Sequence, residues 1–216
     1  MYPIIEVLKK HYAFLNDNDI PNLPSNTPYG NLILSWEEIQ QRFDNVNDLI
    51  ITLYEDFEII NNREDYDVNV AIKLTHKYYK QKFLTEQIIY WLRRTGDELI
   101  SMLYILDYHK KNQTYPGRIK IESIGNFIKY EHFLPELRKR HFKLLNLLNE
   151  ISNAYKHSFI NSETHLHRGS EFPVVFALSL IYNNTKNEPK FYSVKLSDVL
   201  NEYTIFLEDV KKHLLV

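Results

Sequence analysis

In the segment LLNEISNAYKHSF (147–159), at the end of a long apolar run, three side chains stand close enough to act together: Asn153, Lys156 and His157. The ordinary pKa of histidine lies near neutrality, so His157 suits a general base that takes a proton from a 2′-hydroxyl or from water. The same chemistry needs a cation to stabilise the phosphorane. Lys156 offers a point charge there, without the bidentate fork of an arginine. The plain alternative is a solvated or helix-packing face, because the chain is rich in Asn and carries nine His.

The elements that would position these groups are helices. Leu137, His141, Leu144, Leu148, Ile151 and Tyr155 recur at steps of three and four, the spacing of one buried stripe. At 100° per residue, Asn146, Asn149, Glu150, Asn153 and His157 gather on the face opposite the core, a stripe that is polar but lightly charged. Asparagine amides compete for backbone hydrogen bonds, so three on one face weaken the helix locally. In the preceding helix, Ile88, Leu92, Thr95, Leu99, Met102, Leu103 and Leu106 trace the apolar stripe and leave Arg93, Arg94, Asp97 and Glu98 off the core. Arg93 with Asp97 and Arg94 with Glu98 are i,i+4 pairs. They are either surface ion pairs or the flank of a cleft facing the Asn and His stripe.

These two segments, roughly residues 75–160 with WLRRTGDELISMLYIL at 91–106, resemble the HEPN superfamily (higher eukaryotes and prokaryotes nucleotide-binding), in particular its small bacterial all-helical members. The ribonucleases of that family carry an Arg, often followed by a polar residue, then four to six intervening positions before a His. Laid on this sequence, the polar residue is Asn153 and the His is His157, and the Arg is replaced by Ser152. Glu150 and Ile151, the positions of the longer spacings, do not restore it. The resemblance implies a homodimeric helical bundle concerned with RNA or a nucleotide in a bacterial defence or toxin–antitoxin system, with an antitoxin or another protein as a further partner. It implies a metal-independent ribonuclease with His157 and Asn153 as catalytic residues; the residues themselves add Lys156, Arg93, Arg94 and Asn149 as substrate-binding candidates, the cationic role falling on Lys156 or on an Arg from elsewhere, such as Arg94 or one of a second subunit. With the Arg missing, the expectation is a weak or absent nuclease. The alternative is a catalytically inactive helical dimer that serves as a protein-interaction module, its Asn-rich stripe forming the two-fold interface. His157→Ala would kill a catalytic cleft and spare an interface, whereas Asn149→Arg would break the dimer.

Composition narrows the field. A chain of 216 residues can fill one core, and no linker divides it. Its five Gly form no GxGxxG or GxxxxGK[ST] phosphate loop. A net charge of −2 gives no global pull on nucleic acid, so binding would need a local basic patch, for which Lys73, Lys77, Lys80 and Lys82, or Arg138, Lys139, Arg140 and Lys143, are candidates against the plainer solvated face. Without Cys there are neither disulfides nor thiolate zinc sites. His165 and His167 form a His-x-His pair with His157 upstream, but no carboxylate cluster accompanies them, so neither metal nor cofactor is expected. No run approaches a membrane span and no cleavable leader is visible, which makes a soluble cytoplasmic protein the default.

The expected fold is mainly α: a HEPN-like helical bundle of long antiparallel helices, then a C-terminal β-hairpin and a final helix. One domain covers 1–216, with an N-terminal helix and loop at 1–34, the bundle at 35–161, and the hairpin and last helix at 171–216. Residues 2–15 predict a short amphipathic helix. Ser35 with Glu38 predicts a capping box opening a helix to Asn61. A second long helix, or two in tandem, spans about 66–110, a shorter one 123–133, and Pro135 starts the helix of the motif. FPVVFALSLIY (172–182) and KFYSVKL (190–196) predict the hairpin, and Ser197 with Asp198 begins the last helix.

Overall fold

The computed structural model describes residues 2–5, 22–61, 68–163 and 171–214. Among the described residues, five α-helices, α1 (Leu32–Asn61), α2 (Val68–Asn112), α3 (Ile124–Lys129), α4 (Pro135–His157) and α5 (Leu196–Leu214), enclose the core. An antiparallel hairpin of β1 (Val174–Ser179) and β2 (Lys190–Lys195) lies between α4 and α5, so the mainly helical class with a hairpin and a final helix holds. None of the described helices is long and apolar enough to cross a membrane.

α2 is one continuous helix of 45 residues, about 68 Å at 1.5 Å per residue, and it is the axis on which the others pack. α1 runs antiparallel to it, pinned at one end by Asp56 to Lys77 and Lys80 and at the other by Arg42 to Glu98. α4 also runs antiparallel to α2 and buries the predicted stripe of Leu137, His141, Leu144, Leu148 and Ile151. α5 closes the bundle: Tyr203 is buried and donates its hydroxyl to the Leu92 carbonyl. His141 Nε2 sits 2.9 Å from Asp209, which also meets Arg140 and Lys212.

The hairpin register pairs Val175 with Val194 and Ala177 with Tyr192, which sends Val175, Ala177 and Tyr192 into the core at every second position. One helix start and one helix end differ from expectation. Asn31, not Ser35, caps α1, its Oδ1 accepting the Ile33 and Leu34 N–H groups, because the helix begins a turn earlier than the capping-box pattern placed it. α3 is only six residues long, capped by Ser123, and ends at Tyr130 before the chain turns into Pro135. The helix expected over 2–15 falls mostly outside the described residues. Within 2–5, the Ile5 backbone is clipped to α1 by the Asn47 side chain, which accepts from its N–H and donates to its carbonyl.

Candidate functional site

The candidate residues collect along the seam between α2 and α4. Arg93 Nη2 donates to Asn149 Oδ1 at 3.2 Å, and Lys156 Nζ lies 5.6 Å from the centre of the Tyr90 ring. Asn153 stands between these two contacts on the same face of α4, and His157 follows one turn on. The Arg93 guanidinium is also paired with Asp97, whose Oδ1 accepts the Ile124 N–H at 2.7 Å. Asp97 thereby holds the start of α3 against α2. Close approach of the two is possible because position 96 is glycine: a Cβ there would stand 2.7 Å from Ile124 Cδ1.

Arg93 therefore departs from the sequence expectation. It was placed off the core, yet only 13% of its side chain is exposed and its Nε has no partner among the described residues. Burial pushes its pKa below the usual arginine value, although a guanidinium remains charged under any folding condition. The reason is local: α3 packs over the α2–α4 seam and covers residues that a two-helix projection leaves outside.

The polar stripe on α4 is likewise only partly a free face. Asn149 is engaged by Arg93 and lies beneath Gly125, whose added Cβ would be 3.2 Å from Asn149 Oδ1. Glu150 receives Lys190 Nζ at 2.8 Å and the Tyr192 hydroxyl at 3.0 Å, so it anchors β2. Burial works against the charge of Glu150, but Lys190 and Tyr192 outweigh it and hold the carboxyl below its usual range. What remains exposed is Asn153, Lys156 and His157. Substituting Asn149 by Arg would thus break a contact inside one chain, and it is not a clean probe of a dimer.

Arg94 is separated from this group. It pairs with Glu98, which Arg42 of α1 also engages while lying over the Trp91 ring, so Arg94 belongs to the α1–α2 side. The position of the missing motif Arg, Ser152, is 2% exposed among core side chains. The His157 ring makes no hydrogen bond among the described residues, although its carbonyl accepts from the Asn183 side chain. The helix ends at this residue because Ser158 turns extended, its N–H closing on the Ala154 carbonyl and its hydroxyl accepting the Leu180 N–H.

The two basic runs divide as well. Lys77 and Lys80 serve Asp56, Arg138 binds the Ile128 carbonyl, and Arg140 serves Asp209, whereas Lys139 and Lys143 are exposed. The Lys73 side chain and both His165 and His167 lie outside the described residues. Among the described residues, no three His, Asp or Glu side chains converge as a metal site. Asp97 and Glu150 organise the seam, whereas the sequence reading makes Asp97 only the i,i+4 partner of Arg93 and Glu150 only a member of the polar stripe. The hairpin strand carrying Lys190 and Tyr192 was the available signal for the second. Comparison with family models, curated proteins and solved structures found no match.

Proposed function

We propose that this chain is a HEPN-like protein that recognises RNA or a nucleotide along the α2–α4 seam without cleaving it. The observation that carries this reading is Arg93, a largely buried cation that donates to Asn149 and retains an unpartnered Nε beside the exposed Asn153, Lys156 and His157. Among the described residues its one carboxylate partner is Asp97, which also accepts the Ile124 N–H, so the cation that a phosphate would meet at the seam is the exposed Lys156. Against catalysis stands the burial of Ser152. The guanidinium that would stabilise the phosphorane is missing, and its place in the helix points into the core. A role in bacterial defence or in a toxin–antitoxin pair belongs to this same reading.

The test incubates the purified protein with total RNA and labelled tRNA, with and without EDTA, beside His157→Ala and Lys156→Ala. The expected result is retention of RNA in a filter or gel assay without cleavage, weakened in Lys156→Ala. Cleavage that survives EDTA and disappears in His157→Ala would replace the reading with a metal-independent nuclease. A second reading, an inactive dimer or protein-interaction module, is favoured by the hairpin tip beside the end of α4. There Ile181 is 55% and Tyr182 94% exposed, an apolar pair that water does not favour. No RNA retention, together with a dimer in light scattering that Tyr182→Ser dissociates, would install that reading instead.

A further inference from the structure

At the end of the bundle opposite His157, five tyrosines converge. The Tyr104 ring on α2 is 6.2 Å from that of Tyr108 and 5.7 Å from that of Phe133. Its phenol has Tyr29 and Tyr130 as further electrostatic neighbours and meets the Lys120 backbone N–H. Tyr115 stacks on His109 at 4.3 Å, and the Tyr29 hydroxyl donates to the Pro116 carbonyl. These contacts tie the segment before α1, the end of α2 and the loop after it into one surface. Tyr130, at the end of α3, is 48% exposed.

Exposed cations surround these rings: Lys110 and Lys111 in the last turn of α2, Arg118 and Lys120 in the loop, and Lys129 at the end of α3. Lys111 is held by Asp107, whereas Lys110, Arg118, Lys120 and Lys129 form no ion pair among the described residues. The charge of the chain is sharply divided. Residues 104–143 carry nine Lys and Arg against four Asp and Glu, a net +5, while the rest carries seventeen against twenty-four, a net −7. The overall value of −2 hides this pole completely.

We propose that this tyrosine-rich basic pole, built from the end of α2, the 113–123 loop and α3, is a binding surface for single-stranded nucleic acid. Lysines and an arginine without ion pairs among the described residues offer contacts to successive phosphates, and the exposed ring of Tyr130, held in place by tyrosines that pack against the core, offers a face to an unstacked base of any identity. A duplex groove would call for a protruding helix or ribbon, which the six-residue α3 does not supply. An acidic peptide would use the cations but would not stack on the exposed Tyr130 ring. The surface lies about 27 Å along α2 from Tyr90, by helical rise from residue 90 to residue 108, and its binding does not depend on the α2–α4 seam.

The test is fluorescence anisotropy of labelled oligouridylate against the full chain over a series of KCl concentrations. With four cations engaged, the logarithm of the association constant should fall with log salt at a slope of about −3. The variant Lys110→Ala/Arg118→Ala/Lys120→Ala/Lys129→Ala should lose more than tenfold in affinity and most of that slope. Tyr130→Ala, at a half-exposed position that leaves the core intact, should lose about tenfold with the slope unchanged. In the Lys156→Ala/His157→Ala background, which removes the contribution of the seam, the fourfold change should still lower affinity more than tenfold, which separates failure of the pole from failure of the seam. Binding unchanged in the fourfold variant, or absent in the parent protein, would overturn the proposal. Equal affinity for labelled poly-glutamate, undiminished by Tyr130→Ala, would also overturn it and assign the pole to an acidic protein.

Discussion

Ser152 shows at the level of one residue why a motif can be nearly complete and still carry no catalyst. In the sequence it is one letter away from the nuclease pattern, but its side chain faces the core of α4 together with Leu148 and Ile151. Restoring the pattern by Ser152→Arg would bury a guanidinium without a carboxylate arranged for it, at a cost of about 3 kcal/mol or more. The expected outcome is a marked fall in the urea midpoint with no gain of RNA cleavage; a stable, active variant would show that the helix can turn this position outward. Arg93 is the converse case. Helical projection leaves it off the core, as a surface ion pair or the flank of a cleft, and does not show its burial because α3, a six-residue helix after an irregular loop, covers it.

Elements were read well where periodicity is long and poorly where the chain turns. The 3.6-residue stripes of α2 and α4 are legible, since each buries one continuous face, and β1 and β2 are legible as a hairpin in FPVVFALSLIY and KFYSVKL. Helix ends depend on single caps, and there Asn31 took the place of Ser35. The end of α2 offers a test of this level. Gln113 adopts a left-handed backbone, φ 56°, while its N–H closes on the His109 carbonyl. A side chain in that conformation costs about 1 kcal/mol relative to glycine, which is why helices commonly end in Gly. Gln113→Gly should therefore raise stability by about 0.5–1 kcal/mol in urea unfolding, offset in part by loss of the Gln113 amide bond to the Lys110 carbonyl. A lower midpoint would mean that this amide contributes more than the strain it accompanies.

Across the whole molecule, acidity should loosen the joints between helices. Burial disfavours the charge of Asp56, but Lys77 and Lys80 outweigh it and hold the carboxyl below the ordinary 3.8. Asp209 behaves alike, with Lys212 and His141 outweighing burial. A depressed pKa contributes stability that is present above the ordinary value and is lost as pH falls through the folded one. Glu86 opposes them: burial raises its pKa, so its contribution is full below the ordinary 4.5 and is lost as pH rises through the raised value. With Asp56, Glu150 and Asp209 on one side and Glu86 on the other, stability should decline as pH falls from the ordinary carboxylate values of 4.5 and 3.8 through the lowered ones of the folded chain. Asp56→Asn should cost about 2–3 kcal/mol at neutral pH, near the lower limit for a broken buried pair because its lysines are partly wet, and should flatten the acid decline. An equally steep decline in the variant would place the acid response elsewhere.

The separation of charge along α2 also gives the molecule an electrical orientation. A body with +5 near one end and −7 spread over the remainder turns in the field of a polyanion before it touches, and it arrives with that end leading. Encounter is then selected by torque as well as by attraction. The chain as a whole would be repelled weakly at long range, yet near the surface its basic end would be drawn in while its acidic flank is held outward.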